Sequence, residues 1–93
     1  MNEKSIENKL VEEVKKVDGM APKFNSMGLV GVPDRIVLLP GGKMAFVELK
    51  ANGKKMRAIQ IRRKRQLESL GFKVYLIDHI DQIGGMISEI QST

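Results

Sequence analysis

Two short apolar runs separated by a turn signal constrain the fold of this chain more than any other feature. Residues 31–39 and residues 44–50 are rich in aliphatic and β-branched side chains, and Pro40-Gly41-Gly42-Lys43 lies between them. This pattern is typical of two antiparallel strands joined by a tight turn. The sequence therefore predicts a β-hairpin at the centre of the chain.

Charged residues gather at one end of the predicted hairpin. Asp34 lies at the start of its first strand, and Glu48 and Lys50 lie at the end of its second strand. In an antiparallel pair, the start of one strand lies beside the end of the other. Glu48 and Lys50 are two residues apart, so they project from the same face. Two carboxylates and an ammonium group in one place suggest a divalent metal site with an accompanying lysine.

The metal interpretation depends on the register of the hairpin. If Gly41-Gly42 alone formed the loop, Asp34 would lie opposite Leu49 and would project from the face opposite to Glu48. A three-residue loop, a β-bulge or a distorted start of the first strand would bring Asp34 level with Glu48 instead. The metal site therefore requires one of these three geometries.

Further helices and strands are predicted on both sides of the hairpin. Residues 2–17 have the periodicity of an amphipathic helix, and residues 23–25 are predicted to form a short strand. A second helix is predicted over residues 56–70, followed by an interior strand over residues 72–78 that pairs in parallel. A weaker final helix contains Gly84-Gly85, which lowers its helix propensity.

Two polar side chains fall on or beside helix faces that are otherwise apolar. At about 100° per residue, Glu7 lies within the apolar stripe of the first helix, and Gln60 lies at the edge of the second stripe. Glu7 could instead lie near a helix start, where its charge favours the positive end of the dipole. Glu3, one turn earlier, competes for the same role. His79, the only histidine, is predicted to be a turn or cap residue.

The distribution of positive charge favours a polyanionic partner. The net charge is +5, and eight basic residues but no acidic one lie between Lys50 and Arg65. The candidate DNA-binding residues in this run are Lys54, Lys55, Arg57, Arg62, Arg63, Lys64 and Arg65. The alternative for this run of basic residues is a helix face that is exposed to solvent. The methylene groups of Arg63 could lie along the core while its guanidinium group reaches solvent.

Length and composition bound the class of protein. The 93 residues predict a single domain over residues 1–93, with a core of Leu, Ile, Val and Met because aromatic residues make up only 4%. The absence of cysteine excludes disulfides and thiolate catalysis. No apolar run is long enough for a membrane span, so a cytoplasmic protein without membrane association is expected. We expect no nucleotide cofactor.

The order and spacing of these residues resemble a known group of nucleases. Pro33-Asp34, then Glu48-Leu49-Lys50 across a glycine-containing hairpin, then Gln60 on the next helix, resemble the PD-(D/E)XK nuclease superfamily. Residues 31–35 and residues 70–75 more narrowly resemble the VRR-NUC family, and especially its stand-alone phage and bacterial members. The resemblance implies an α/β fold with a restriction-endonuclease-like core, in the order αβββαβ(α). Its mixed sheet would have a central antiparallel hairpin flanked by helices.

The resemblance also implies the residues of the active site. The residues implied in catalysis are Glu7, Asp34, Glu48, Lys50 and Gln60. Of these, Asp34 and Glu48 would bind Mg²⁺ or Mn²⁺ together with the main-chain carbonyl of Leu49, and Glu7 is a candidate for a further ligand. Mg²⁺ is suited to such a set because it prefers oxygen ligands and keeps several waters.

By the same resemblance, the chain is expected to be a metal-dependent endodeoxyribonuclease that hydrolyses phosphodiester bonds. A homodimer acting on branched DNA such as four-way junctions is implied, because paired cuts need two active sites. Candidate dimer contacts are Ile61, residues 28–31 and the last helix. Two alternatives remain: a non-catalytic basic nucleic-acid-binding module, with the hairpin charges forming only an ion-pair cluster, and a subunit of a larger phage or repair complex.

Overall fold

The computed structural model describes residues 1–93 and contains three helices and three strands. Their bounds are α1 Glu3–Lys16, β1 Arg35–Leu39, β2 Lys43–Leu49, α2 Ala58–Ser69, β3 Val74–Ile77 and α3 Ile83–Gln91. A 3-10 turn, Ile80–Gln82, connects β3 to α3, and His79 caps it by accepting a hydrogen bond at Nδ1 from the Asp81 amide. The predicted α/β class and the central hairpin are confirmed.

The three strands form one mixed sheet in the order β1-β2-β3. β1 pairs antiparallel with β2, and β3 pairs parallel with β2 after the α2 crossover. The prediction that the last strand is interior was wrong, because β3 is an edge strand. The prediction took the apolar run to be buried on both faces. In the structure, Ile77 faces a buried core, whereas Leu76 projects from the other face and is 37% exposed.

The predicted strand at residues 23–25 is reduced to two isolated bridges beside β1. Met20 pairs with Leu38 and Lys23 pairs with Arg35, both antiparallel. Pro22 lies between the two bridges and has no amide N–H to donate to a continuous ladder. The chain after α1 therefore follows the outer edge of β1 without becoming a regular strand.

α1 and α3 cover one face of the sheet and form the main core with it. The helical members of this core are Ile6, Leu10 and Val14 of α1 and Ile83, Met86, Ile87 and Ile90 of α3. The buried stripe of α1 is the one that its periodicity predicted. Gly84 and Gly85 are exposed, so they leave the apolar stripe of α3 intact. Burial of that stripe stabilises a helix whose local propensity is weak.

α2 does not join this core and is packed more loosely. Gln60 is its only buried residue, and Leu70, the last residue of the predicted helix, is 68% exposed. On the sheet face away from α1 and α3, the ring of Phe46 packs between Phe24 and Phe72, with centroids 5.5 and 5.7 Å away. The basic side of α2 is consequently accessible to solvent.

Candidate active site

The loop of the hairpin sets the position of the carboxylates. It contains three residues, Pro40-Gly41-Gly42, and both glycines have positive φ angles, 87° and 74°, which glycine adopts without steric cost. Arg35 pairs with Val47, so the same register places Asp34 level with Glu48. This is one of the three geometries that the metal interpretation requires.

Asp34 is held across the end of β2. Its Oδ2 atom accepts a hydrogen bond of 2.7 Å from the backbone amide of Leu49. In an extended strand, the N–H and C=O of one residue point toward the same edge. The main-chain carbonyl of Leu49 is therefore directed toward the end of the hairpin that carries Asp34.

Glu48 is the most buried charged residue of the protein. Its side chain is 2% exposed, and neither carboxylate oxygen takes part in a hydrogen bond. Lys50 Nζ lies 3.3 Å from Oε2 and forms an ion pair with it. Burial, and after it the charge of Asp34, raise the pKa of Glu48 from 4.5 to about 7, while Lys50 opposes the rise. A buried carboxylate without hydrogen bonds is costly unless another partner compensates it.

These groups fit a hard divalent cation. Two adjacent carboxylates and a main-chain carbonyl offer only oxygen ligands, which Mg²⁺ and Mn²⁺ prefer. A cation would also compensate the two Glu48 oxygens, neither of which accepts a hydrogen bond. Asp34, Glu48 and the carbonyl of Leu49 could therefore hold such an ion between them.

Glu7 does not join this cluster. Its Oε2 atom accepts hydrogen bonds from Arg35 Nε at 3.2 Å and Nη2 at 3.0 Å. Burial raises the pKa of Glu7, but the hydrogen bonds and charges of Arg35, and after it Lys4, outweigh this effect and hold the pKa below its usual range. No three His, Cys, Asp or Glu side chains are grouped closely enough to hold a metal ion. Glu3 is exposed, so Glu7 is the α1 carboxylate that is tied to the hairpin.

Arg35 is the residue of this region that the sequence analysis missed. It lies on the same strand face as Val37 and Leu39, both of which are buried. A charged side chain on a core face needs a partner of opposite charge. The alternation of side chains along β1 could therefore have shown that Arg35 needs a partner, but it could not have identified Glu7 as that partner.

Gln60 has a structural contact at the start of α2. Its side-chain Oε1 accepts a hydrogen bond of 2.8 Å from the backbone amide of Arg57, which caps the first turn. The side chain is buried, but it forms no hydrogen bond to Asp34, Glu48 or Lys50. The structure therefore brings together the three hairpin residues and leaves Glu7 and Gln60 outside their direct contacts.

Comparisons with known proteins identify the family. No family model matches the chain. A solved structure described as a VRR_NUC domain superposes with a TM-score of 0.85 and 26% identity, covering 92% of this chain and 94% of that chain. The protein named "Putative nuclease p44", from Acyrthosiphon pisum secondary endosymbiont phage 1, is 49% identical over 81 residues, which is 87% of each protein. This chain belongs to the VRR-NUC nuclease family.

The basic residues of this VRR-NUC chain fall into two groups. Five of the seven predicted DNA contacts are exposed: Lys54, Lys55, Arg57, Arg62 and Arg65. The other two have partners within the protein. Arg63 Nε donates a 2.9 Å hydrogen bond to the carbonyl of Val30, and Lys64 Nζ lies 2.9 Å from a carboxylate oxygen of Glu68.

None of the helices in this VRR-NUC protein combines the length and the apolar character needed to cross a membrane. The longest, α1, has 14 residues and buries only one stripe. The VRR-NUC fold thus consists of a sheet covered closely on one face by α1 and α3, with the hairpin carboxylates at one end and a loosely packed basic helix on the other face.

Proposed function

We propose that this VRR-NUC protein is a metal-dependent endodeoxyribonuclease whose active site lies at the end of the hairpin. The observation that carries the proposal is the Glu48 carboxylate, which is 2% exposed, level with Asp34 and without a hydrogen bond. A structural ion-pair cluster would be expected to satisfy both oxygens of a buried carboxylate. The fold and the phage relative support a nuclease; the metal and the DNA substrate are our proposal.

In this proposal, Asp34, Glu48 and the main-chain carbonyl of Leu49 hold Mg²⁺ or Mn²⁺. Such an ion, when bound, polarises the scissile phosphate and lowers the pKa of bound water. Lys50, whose Nζ lies 3.3 Å from Glu48 Oε2, is positioned to orient the attacking water. Glu7 makes no direct contact with Asp34 or Glu48. Because Mg²⁺ retains several waters, we assign Glu7 to holding one of these waters.

The DNA path in this proposal follows the exposed side of α2. The solvent-accessible basic side chains between Lys54 and Arg65, on this helix and in the loop before it, bind phosphates that flank the cut, an interaction that is independent of sequence. Gln60, whose Oε1 atom caps the first turn of the helix, stays a candidate active-site residue in this proposal. We further propose that the substrate is branched DNA such as a four-way junction. A homodimer would cut it, with Ile61, which is 37% exposed, and residues 28–31 at the contact.

Cleavage of a labelled four-way junction tests the proposed function, with linear duplex and single strands beside it, in Mg²⁺, Mn²⁺ or EDTA. Glu48→Gln keeps the shape of the side chain and removes its charge, so the cleavage rate should fall by roughly 10²–10³-fold or more. Glu12→Gln, the same change on the exposed side of α1, is the matched control and should cut normally.

A Glu48→Gln protein that cuts normally would reject the metal assignment. DNA binding without cleavage under every metal condition would favour the non-catalytic nucleic-acid-binding module. In that case the hairpin carboxylates would have only a structural role.

A further inference from the structure

The guanidinium group of Arg35 joins three segments of the chain. Two of its nitrogens, Nε and Nη2, donate to Oε2 of Glu7 on α1 at 3.2 and 3.0 Å. The third, Nη1, donates to the carbonyl of Ala21 at 2.7 Å, in the segment that follows α1. Arg35 itself is the first residue of β1. All three nitrogens of one planar group therefore have acceptors.

This contact is partly buried, which makes it more than a surface ion pair. The side chains of Arg35 and Glu7 are 14% and 18% exposed. Lys4 also approaches Glu7, at 3.4 Å, but the Lys4 side chain is 71% exposed, and such pairs contribute little to orientation. Arg35 is thus the group that fixes the Glu7 carboxylate.

Arg35 also follows Asp34 directly in the chain. Adjacent strand residues project to opposite faces, so the two side chains leave the backbone in different directions. Asp34 bonds to the Leu49 amide at the end of β2, while Arg35 bonds to Glu7 of α1. One dipeptide therefore fixes the positions of two separate carboxylates.

We propose that Arg35 is a positioning residue for the nuclease reaction, which holds the Glu7 carboxylate in a defined place relative to Asp34. The inference rests on the proposed function, since it assigns Glu7 to a water of the ion. Lysine is a poor substitute, because one ammonium group cannot span both Glu7 and the Ala21 carbonyl as a planar guanidinium does.

The experiment compares Arg35→Lys, Arg35→Gln and Glu7→Gln with the double variant Glu7→Gln, Arg35→Lys. Two quantities are measured. The first is kcat and KM for junction cleavage, at a temperature well below the melting temperature, and the second is the Mg²⁺ concentration that gives half of the metal-induced rise in melting temperature. The second readout does not depend on catalysis. Lys4→Gln is the matched control, because it removes the other cation near Glu7.

A partner that orients a group bound to a metal's water shell typically contributes 10–100-fold to activity or metal affinity. Arg35→Lys should therefore lower kcat by about 10-fold or more with little change in KM, and raise the half-saturating Mg²⁺ concentration about 10-fold. The double variant should have the same kcat and the same half-saturating Mg²⁺ concentration as Glu7→Gln alone, because both changes disrupt the same contact between Arg35 and Glu7. Lys4→Gln should leave both readouts unchanged.

Three results would overturn the positioning role while leaving the nuclease proposal intact. The first is a normal kcat and a normal Mg²⁺ response of the melting temperature in Arg35→Lys. The second is a loss of kcat in the double variant that equals the sum of the two single losses in free energy. The third is unfolding of both Arg35 variants, which would make Arg35 a stability residue only. A wild-type protein that cuts no DNA with any metal would instead reject the proposed function itself.

Discussion

Glu48 lies on the central strand with both carboxylate oxygens buried, and its pKa is raised from 4.5 to about 7, first by burial and then by the charge of Asp34. Between these pH values, the folded protein keeps a proton that the unfolded chain has released. The stabilising effect of that proton is complete below pH 4.5 and is lost as pH rises through about 7. Above pH 7 the charged carboxylate thus costs the folded state roughly 3 kcal/mol, an amount that already includes the opposing effect of Lys50.

This residue should limit the stability of the metal-free protein at neutral and alkaline pH. In EDTA at pH 8, Glu48→Gln should melt roughly 5–15 °C above wild type, because it removes a buried charge. At pH 5 the difference should nearly disappear, since Glu48 is then mostly protonated in the folded state. Mg²⁺ should raise the melting temperature of wild type and have little effect on the variant.

Calorimetric scans across this pH range give the comparison. Glu12→Gln makes the same change of net charge at an exposed position and serves as the control. A variant that melts below wild type at pH 8 in EDTA would mean that the Glu48–Lys50 ion pair outweighs the cost of burial.

At the level of elements, α2 differs from the other two helices. α1 and α3 each bury three or more apolar residues, whereas α2 buries only Gln60. Two close contacts hold α2 to the segment that leads to Asp34: Arg63 donates to the Val30 carbonyl, and Gly31 packs against Ile59. A Cβ added at Gly31 would lie 2.7 Å from the Ile59 carbonyl oxygen, and the φ of Gly31 is +79°, so glycine is required there.

The exposed charges of α2 should carry the salt dependence of DNA binding. Each phosphate contact contributes a slope of about −0.9 in log K against log salt concentration. Arg62→Ala with Arg65→Ala should weaken binding to all sequences and reduce the slope by about 2, while kcat at saturating DNA changes little. Fluorescence anisotropy with labelled duplex at several salt concentrations measures both the affinity and the slope.

A control variant separates local contacts from net charge. Lys15→Ala with Lys16→Ala removes two exposed charges from the last turn of α1 and should leave the slope nearly unchanged. Equal slopes for the two double variants would show that binding responds to the overall charge, and the DNA path would not follow α2.

The whole molecule is small relative to the branched DNA substrate that we propose. It measures 32 × 31 × 22 Å and has one hairpin end with paired carboxylates. A single chain therefore offers one candidate site, and symmetric cuts in two strands of a junction require a second copy. Several apolar side chains outside the core are available for such a contact, among them Ile61 and Val30, which are 37% and 71% exposed.

Assembly and paired cutting should be lost together. Ile61→Glu should raise the dimer dissociation constant about 10-fold or more, because a charge would be buried in the contact. It should convert paired junction cuts into single nicks. Analytical ultracentrifugation and a junction labelled on two strands measure the two effects. Leu70→Glu, at a more exposed apolar residue outside the proposed contact, is the control. Paired cuts by a strictly monomeric protein would reject the homodimer.

Several features could be predicted because they depend on residues close together in the chain. The hairpin follows from two apolar runs around Pro40-Gly41-Gly42, and α1 follows from the spacing of Ile6, Leu10 and Val14. The placement of Asp34 and Glu48 at one end of the hairpin is also local information. Because side chains alternate between the two faces of a strand, three hairpin geometries could bring Asp34 level with Glu48. The structure has one of them, the three-residue loop.

Other features were decided only by contacts between distant parts of the chain. The edge position of β3 depends on whether another part of the chain pairs with its free side, which the apolar pattern of residues 72–78 does not record. The pairing of Arg35 with Glu7 joins residues 28 positions apart, and the periodicity of α1 showed only that Glu7 needed a partner. The sequence by itself therefore determined the elements and the end of the hairpin where charge collects. The tertiary structure chose the partners, because a buried charge pairs with whichever opposite charge the packing of the helices brings within reach.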